Sequence, residues 1–311
     1  MSRNFGARQR DMGKAAGVFL SQAVSRGEIS FSSAATLEDR FTQFAQFAKD
    51  EGIGRMERID TEIVEKYGRE LAEKVEAGEI SEAYAQNLVS AVNSVMSLAA
   101  KGQWESVSPT KDCGIPERSF VREHAPQAID RTTYENARDI VRDTLGYRAT
   151  AIVELARELG LRSKEASLLD AEKAYLEAKE TGKITISEGT KGGREREVPI
   201  TSEHQLKALK NASEAQGEGR NLISKGESWQ SWREGGLRKI REIVQEKTGG
   251  RLHDLRSAYA CERYESLTGW SSPAAGGNIQ DRHLDREARE TISQELGHGR
   301  IDVVSSYIGG R

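Results

Sequence analysis

Apolar residues recur at helical spacing along most of this chain, and only one short stretch has the pattern of paired strands. Leu37, Phe41 and Phe44 lie three or four residues apart, as on one face of a helix. A similar stripe runs through 63–75. The segment 183–200 holds two β-prone runs around a glycine-rich turn, which is typical of a hairpin. The sequence therefore predicts a mainly α fold with a small β-hairpin or sheet.

Breaks in these patterns divide the 311 residues into two domains. Three prolines between 103 and 129 indicate a linker, and no helical period is sustained there. The stretch before residue 35 is basic and is either an arm or a ragged terminus. We predict the following segments: a basic N-terminal segment at 1–34, a helical domain at 35–102, a linker at 103–129, and a second domain at 130–311 with an insertion at about 268–289.

The charge balance argues against a nucleic-acid-binding protein at first sight. Lys and Arg number 46 against 49 Asp and Glu, a net charge of −3, whereas nucleic-acid-binding domains are usually basic. The charges are unevenly spread, however. Residues 1–30 hold five basic side chains against two acidic ones, and residues 233–263 hold eight against five. A one-sided basic face is compatible with these numbers.

Other classes of protein fit the sequence poorly. Two cysteines, Cys113 and Cys261, make neither a disulfide framework nor a zinc site. No apolar run approaches the length of a membrane span. These features favour a cytoplasmic, reduced protein that is not bound to a membrane.

Four motifs follow one another in the second half of the chain. A Leu-Gly-Leu-Arg string at 159–162 precedes Glu165 and a leucine-rich turn, and the hairpin carries Lys191 at its tip before an Arg-Glu-Val-Pro exit. A His-Asp-Leu-Arg string then stands at 253–256, and the stretch 296–309 includes a Gly-His pair and a tyrosine. In this order the motifs resemble the active site of tyrosine recombinases, the phage-type integrases. The resemblance covers about residues 35 to 309.

This resemblance carries expectations about fold and function. It implies a helical, SAM-like core-binding domain followed by an α+β catalytic domain. It implies a site-specific recombinase that cleaves and rejoins double-stranded DNA through a 3′-phosphotyrosyl intermediate, for integration or excision of a mobile genetic element. It also implies a homo-tetramer on two duplexes, accessory DNA-bending or directionality factors, and a nucleoid-associated location in a bacterial or phage-host cell.

The resemblance assigns five residues to the cleavage of the phosphodiester bond. Tyr307 is the expected nucleophile. Arg162 and Arg256 are the expected clamps, because an arginine is always ionised and offers a planar fork to two phosphate oxygens. His253 and His298 are expected to donate to the phosphate or to accept the tyrosine proton.

Two further residues complete the expected site. Lys191 is the candidate general acid for the leaving 5′ oxygen, with Lys183 and Arg194 as rivals. Glu165, three residues after Arg162, is expected to hold that arginine in place. Neither a metal nor a cofactor is expected, because no histidine or cysteine spacing fits a zinc site and no phosphate-binding loop for ATP is present.

Two features depart from the family pattern. The step from Arg256 to His298 is 42 residues long, more than is usual, and the surplus falls in the insertion. Only four residues follow Tyr307, where many members carry a further helix that docks on a neighbouring subunit. The insertion, with Trp270 as an aromatic anchor, is one candidate for the subunit connector, and an inert surface loop is the other interpretation.

Two alternative functions remain open from the sequence. A type IB topoisomerase would use the same chemistry to relax DNA, and a catalytically silent regulator would keep the fold and bind DNA without cutting it. The sequence does not identify the recombination site or the mobile element.

Overall fold

A computed structural model describes residues 3–310, and within this range the chain folds into two compact units that divide after Ser119. Both units are built mainly from α-helices. No helix in the described part of the chain is long and apolar enough to cross a membrane.

The first unit is a helical bundle with an apolar core. Each of its helices begins after a residue whose side chain accepts a hydrogen bond from the first-turn backbone. Phe41, Phe44 and Tyr67 are buried in the core, where the ring of Phe44 contacts the rings of the other two. The α-helices are α1 (Met12–Ser25), α2 (Phe31–Asp50), α3 (Thr61–Glu76) and α4 (Glu82–Ala99), with a 3₁₀ turn at Met56–Arg58.

The N-terminal stretch differs from its predicted description as a separate basic segment. It forms α1 and the start of α2, and Ala15, Ala16 and Leu20 are buried in the core of this unit. The reason is that the alanine-rich run presents small apolar side chains on one face, and these allow α1 to pack closely on α2. The predicted linker also differs, because Val107 and Ile115 are buried in the same core.

The second unit surrounds one large core with ten α-helices among the described residues. Three of them, α11, α12 and α13, carry most of the side chains discussed below. The helices are α5 (Arg131–Leu145), α6 (Tyr147–Glu158), α7 (Ser163–Leu168), α8 (Ala171–Thr181), α9 (Glu203–Gln216), α10 (Trp229–Glu234), α11 (Gly236–Thr248), α12 (Leu252–Thr268), α13 (Arg282–Glu295) and α14 (Ser305–Ile308). Short 3₁₀ turns lie at Lys191–Gly193, Pro273–Ala275 and Asp302–Val304.

The predicted hairpin is present as two antiparallel strands, β1 (Lys183–Ile186) and β2 (Arg196–Pro199). Ile184 pairs with Val198, and both are buried, as the two-residue alternation of a strand requires. The same alternation points Arg196 inward, where it is buried. The hairpin therefore brings a charged side chain into the interior of the unit.

The predicted insertion at 268–289 is only partly a loop. Its second half is the beginning of α13, where Ala288 is buried in the main core and Asp285 and Arg289 form a buried ion pair. Trp270, expected as an aromatic anchor for another subunit, packs against the core of its own unit and donates a hydrogen bond to the hydroxyl of Tyr264. The interpretation of the whole insertion as a surface loop does not hold for the part in α13, because its charged residues neutralise each other at a spacing of four.

Candidate active site

A tight turn after α6 begins the site. Gly160 has φ +63°, a left-handed conformation that favours glycine, and a Cβ there would lie 2.5 Å from the ring of Tyr259. This turn ends α6 and places Arg162 immediately before α7. It also exposes the Gly160 carbonyl oxygen to the guanidinium of Arg256, which donates to it. The turn thus links the first arginine motif to the second.

Glu165 is the centre of a buried cluster of arginines. It is fully inaccessible to solvent. Its carboxylate accepts from the backbone N–H of Arg162 at 2.7 Å, from Nη1 of Arg162 at 2.7 Å, and from Nη1 and Nη2 of Arg196 at 2.9 and 2.7 Å. Arg256 Nη1 lies 3.7 Å from the same carboxylate. Burial alone would raise the pKa of Glu165, but Arg196 and its neighbours overcome this effect and lower it to about 2.

Arg256 is almost completely buried, at 1% exposure. It donates to the carbonyl oxygens of Gly160 and Leu296 and so joins α12 to the ends of α6 and α13. Burial lowers its pKa to about 10, which leaves it charged at neutral pH. Its Nε is buried without a hydrogen-bond partner among the described residues. An unsatisfied donor on a buried cation is a group that an anion would satisfy.

The hydroxyl of Tyr307 lies 2.9 Å from Nε2 of His298. Arg256 Nη2 lies 3.5 Å from the same nitrogen, and a guanidinium only donates. We infer that Nε2 is the acceptor, that the ring proton is on Nδ1, and that the tyrosine hydroxyl donates to the histidine. Burial and the charge of Arg256 lower the pKa of His298 to about 4, so the ring is neutral at pH 7. This arrangement can accept the tyrosine proton.

His253 also lies beside Tyr307. Its ring centroid lies 5.3 Å from that of the tyrosine, the same separation as for His298. Part of the ring is open to a groove, but the surrounding protein and the charge of Arg256 lower its pKa to about 4. Arg256 itself lies with its Cζ 5.6 Å from the tyrosine ring centre. The tyrosine is therefore enclosed by two neutral imidazoles and one buried cation.

The tyrosine stands on a single helical turn that other segments hold in place. Arg122 donates its backbone N–H to the Ser305 carbonyl oxygen at 2.9 Å and its side chain to Asp254 at 2.6 Å. From the other side, Arg289 donates to the carbonyl oxygens of Gly309 and Gly310, each at 3.0 Å. A helix of four residues is too short to be stable alone, so these contacts fix the position of Tyr307.

The predicted residues are not all brought together. Arg162, Glu165, His253, Arg256, His298 and Tyr307 form one cluster. Lys191 lies exposed at the tip of the hairpin, and no hydrogen bond or ion pair joins it to another residue in the range 3–310. Of its rivals, Lys183 pairs with Glu197 on the hairpin surface at 2.6 Å, and Arg194 is exposed.

Arg196 belongs to the cluster, and the sequence analysis missed it. It is bound to Glu165 and also donates from Nε to the Glu295 carbonyl oxygen at 2.7 Å. A signal was present, because the alternation of β2 points Arg196 to the same side as Val198. A buried arginine needs a carboxylate partner, and Glu165 was already a candidate.

The other tyrosines near this cluster have different partners. The hydroxyl of Tyr259 donates to Glu295 at 2.8 Å, and that of Tyr264 donates to Asp285 at 2.9 Å. Burial, together with the contact with a carboxylate, raises the pKa of both tyrosines, which disfavours the phenolate that a nucleophile needs.

Comparison with known proteins agrees with the motifs. Residues 117–262 match the family model described as integrase. No curated protein matches the sequence. Among solved structures, the XerH site-specific recombinase bound to palindromic difH substrate, a post-cleavage complex, has a TM-score of 0.61 at 16% identity and covers 97% of this chain and 94% of its own.

Two further structures share the fold. The Tn1549 transposon integrase in complex with transposon right end DNA has a TM-score of 0.59 at 11% identity, over 95% of each chain. A lambda integrase dimer bound to a COC′ core site has a TM-score of 0.56 at 15% identity, over 94% of this chain and 75% of its own. The predicted resemblance to tyrosine recombinases and the predicted fold class are confirmed.

Proposed function

We propose that this protein is a site-specific DNA recombinase acting through a 3′-phosphotyrosyl intermediate. The match of residues 117–262 to the integrase family model and the fold shared with solved tyrosine recombinases support this proposal. The observation that carries the proposal is the hydrogen bond of 2.9 Å between Tyr307 and His298 beside the buried cation of Arg256. This cluster provides a nucleophile, a proton acceptor and a charge clamp at one place.

The proposed cleavage begins with attack by the Tyr307 oxygen on the phosphorus. Its proton passes to Nε2 of His298, which is neutral and accepts it. Arg162 and Arg256 neutralise the non-bridging oxygens as negative charge develops there. The bond from phosphorus to the 5′ oxygen breaks, and the strand ends as a 3′-phosphotyrosyl ester and a free 5′ hydroxyl. Attack by a 5′ hydroxyl on the ester reverses the step, so no ATP is needed.

The leaving 5′ oxygen needs a proton, and Lys191 remains our proposed donor. It lies on an exposed hairpin turn that contains two glycines, Gly192 and Gly193, both with positive φ. β2 next to this turn is fixed to Glu165 through Arg196. We propose that bound DNA positions the tip, while Arg196 keeps the base of the hairpin in register with the arginine clamp.

The proposed partners are double-stranded recombination sites. Solved structures with this fold are described as complexes with transposon right end DNA, a COC′ core site and a difH substrate. We propose a homo-tetramer on two duplexes, with accessory DNA-binding factors, serving integration or excision of a mobile element. The insertion is not proposed as the subunit connector, since Trp270 packs within its own unit.

Trapping of a covalent adduct on supercoiled plasmid tests the proposal. Wild-type protein denatured during the reaction should remain attached to the DNA, with or without EDTA, and Tyr307→Phe should bind DNA and form no adduct. Tyr147→Phe is the matched control, because Tyr147 is 73% exposed on the same unit. An adduct that survives in Tyr307→Phe would contradict the assignment of the nucleophile.

A two-plasmid exchange assay separates the proposed function from the alternatives. A recombinase should join sequences from both plasmids at a defined site. Relaxation of supercoils without exchange would instead favour a type IB topoisomerase. DNA binding without any adduct would favour a regulator that does not cut.

A further inference from the structure

A groove of about 400 Å³ opens beside the arginine clamp. Four arginines line it, more than are needed to neutralise one phosphate, and its lining includes no carboxylate. The arginines that line it are Arg162, Arg241, Arg251 and Arg256, and Gln245 also lies on the groove wall. Arg162 and Arg256 belong to the clamp described above, which leaves Arg241 and Arg251 without a role in the cleavage step.

Arg241 is held in this groove from α11. Its Nη2 donates to the hydroxyl of Ser163 at 3.4 Å, and Ser163 directly follows Arg162. That is the one hydrogen bond of this side chain among residues 3–310, so most of its five N–H donors stay available. No carboxylate in that range pairs with it. Burial and the nearby charge of Arg233 lower the pKa of Arg241.

A neighbour on the same helix shows the contrast. Arg238 is 66% exposed and lies 3.8 Å from the carboxylate of Glu242. Arg238 is thus a solvated surface cation with an acidic partner. Arg241, in contrast, is half-buried in a concave site among other cations, where the approach of an anion would relieve the repulsion.

We propose that Arg241, together with Gln245 and Arg251, binds a second phosphate of the DNA, next to the one that Arg162 and Arg256 hold. The inference rests on the proposed function, since it takes DNA as the ligand. Consecutive phosphates follow a DNA strand at intervals of about 3.4 Å along the helix axis. Arg241 donates to Ser163, the residue that follows Arg162, so the groove sets a second cation beside the clamp, on the path of the next phosphate of the strand. This contact would fix the strand so that the scissile phosphate stays opposite Tyr307.

The salt dependence of DNA binding tests the contact without requiring activity. The probe is a fluorescent duplex of mixed sequence, about 30 base pairs long, and the readout is anisotropy between about 50 and 200 mM KCl. Arg241→Ala should make the slope of log K against log [salt] shallower by about 1, because one phosphate contact is lost. Arg241→Lys should restore the slope, since an ammonium also neutralises a phosphate.

Arg238→Ala is the matched control and should leave the slope unchanged. Thermal unfolding of all three variants shows whether each is folded before binding is compared. An unchanged slope in Arg241→Ala, or an equal loss in Arg238→Ala, would overturn the inference.

A second measurement asks where the phosphate lies. After plasmid adducts have been mapped, duplexes of the cleaved sequence receive a neutral methylphosphonate at a single position beside the scissile phosphate. The wild-type protein should lose cleavage rate on this duplex, and Arg241→Ala should be insensitive to the change. If the wild-type protein makes no adduct, the proposed function fails while the salt slope still decides the phosphate contact. If adducts form and both proteins respond equally to the methylphosphonate, the proposed function stands and the second phosphate site does not.

Discussion

Replacing Glu165 by glutamine removes one negative charge from the centre of the arginine cluster and changes little in size. The side chain is fully buried and accepts four hydrogen bonds from Arg162 and Arg196. An amide offers one acceptor oxygen, and its NH₂ group would face guanidinium donors. The variant therefore keeps the shape of the site and loses its charge compensation.

The size of the effect follows from the pKa of Glu165, which is lowered from 4.5 to about 2. One pKa unit corresponds to about 1.4 kcal/mol, so the charged form is favoured in the folded state by about 3 kcal/mol. Breaking a buried ion pair typically costs about 3–5 kcal/mol, which agrees. We expect Glu165→Gln to lower the free energy of unfolding by about 3 kcal/mol at pH 7.

The dependence on pH identifies the cause. The folded-state pKa lies below the unfolded value, so the contribution is fully present above pH 4.5 and is lost as the pH falls towards about 2. The difference between wild type and Glu165→Gln should thus shrink over that window. A difference caused by poor packing of the amide would not follow pH in this way.

Urea unfolding followed by tryptophan fluorescence measures this difference. Three of the four tryptophans, Trp229, Trp232 and Trp270, lie in the second unit and report on it. Glu197→Gln is the control, because Glu197 is 58% exposed and pairs with Lys183 on the surface, where a pair contributes about 0–1 kcal/mol. A loss below about 1 kcal/mol in Glu165→Gln, or one independent of pH, would refute the reasoning.

Two further predictions concern the tyrosine and its surroundings. Because the pKa of His298 falls from 6.5 in the unfolded chain to about 4 in the folded one, stability should decrease as the pH drops from 6.5 to 4. In His298→Gln, the urea midpoint should therefore fall less steeply between pH 6.5 and 4 than in the wild type. If the midpoint of the variant falls as steeply, the lowered pKa of His298 is contradicted. Arg289→Ala should release the carbonyl oxygens of Gly309 and Gly310, destabilise the second unit by about 3 kcal/mol and slow adduct formation. Arg286 is an exposed arginine of the same helix that pairs with Glu290, so Arg286→Ala should change neither stability nor adduct formation. Equal effects in the two variants would show that the contacts to Gly309 and Gly310 are not the cause.

The sequence predicted the parts of this structure that depend on local pattern. The helices of the first unit follow from apolar spacing, and the hairpin follows from β-prone runs around glycines. The residues around Tyr307 were predicted through the resemblance of four motifs to those of tyrosine recombinases. Lys191 lies at the exposed tip of the hairpin, as the sequence predicts, and its role as general acid stays a prediction.

The parts that the sequence analysis missed depend on contacts between distant segments. Arg289 was taken for a residue of a polar insertion, although its charge is satisfied by Asp285 and by backbone carbonyls of the chain end. Arg196 was read as part of a hairpin exit, because its partner Glu165 stands 31 residues away. The alanine-rich α1 gives a weak apolar signal, and only its packing on α2 makes it part of a core.

The contacts that assemble the arginine cluster join parts of the chain that are far apart in sequence. Arg256 and Gly160 are separated by 96 residues, and Arg196 and Glu295 by 99. Contacts of such long range form late in folding, since the entropy of closing large loops must be overcome first. A chain that is still folding therefore has its tyrosine but not the arginines and histidine that surround it in the native molecule. The proposed cleavage is in this way confined to the fully native molecule.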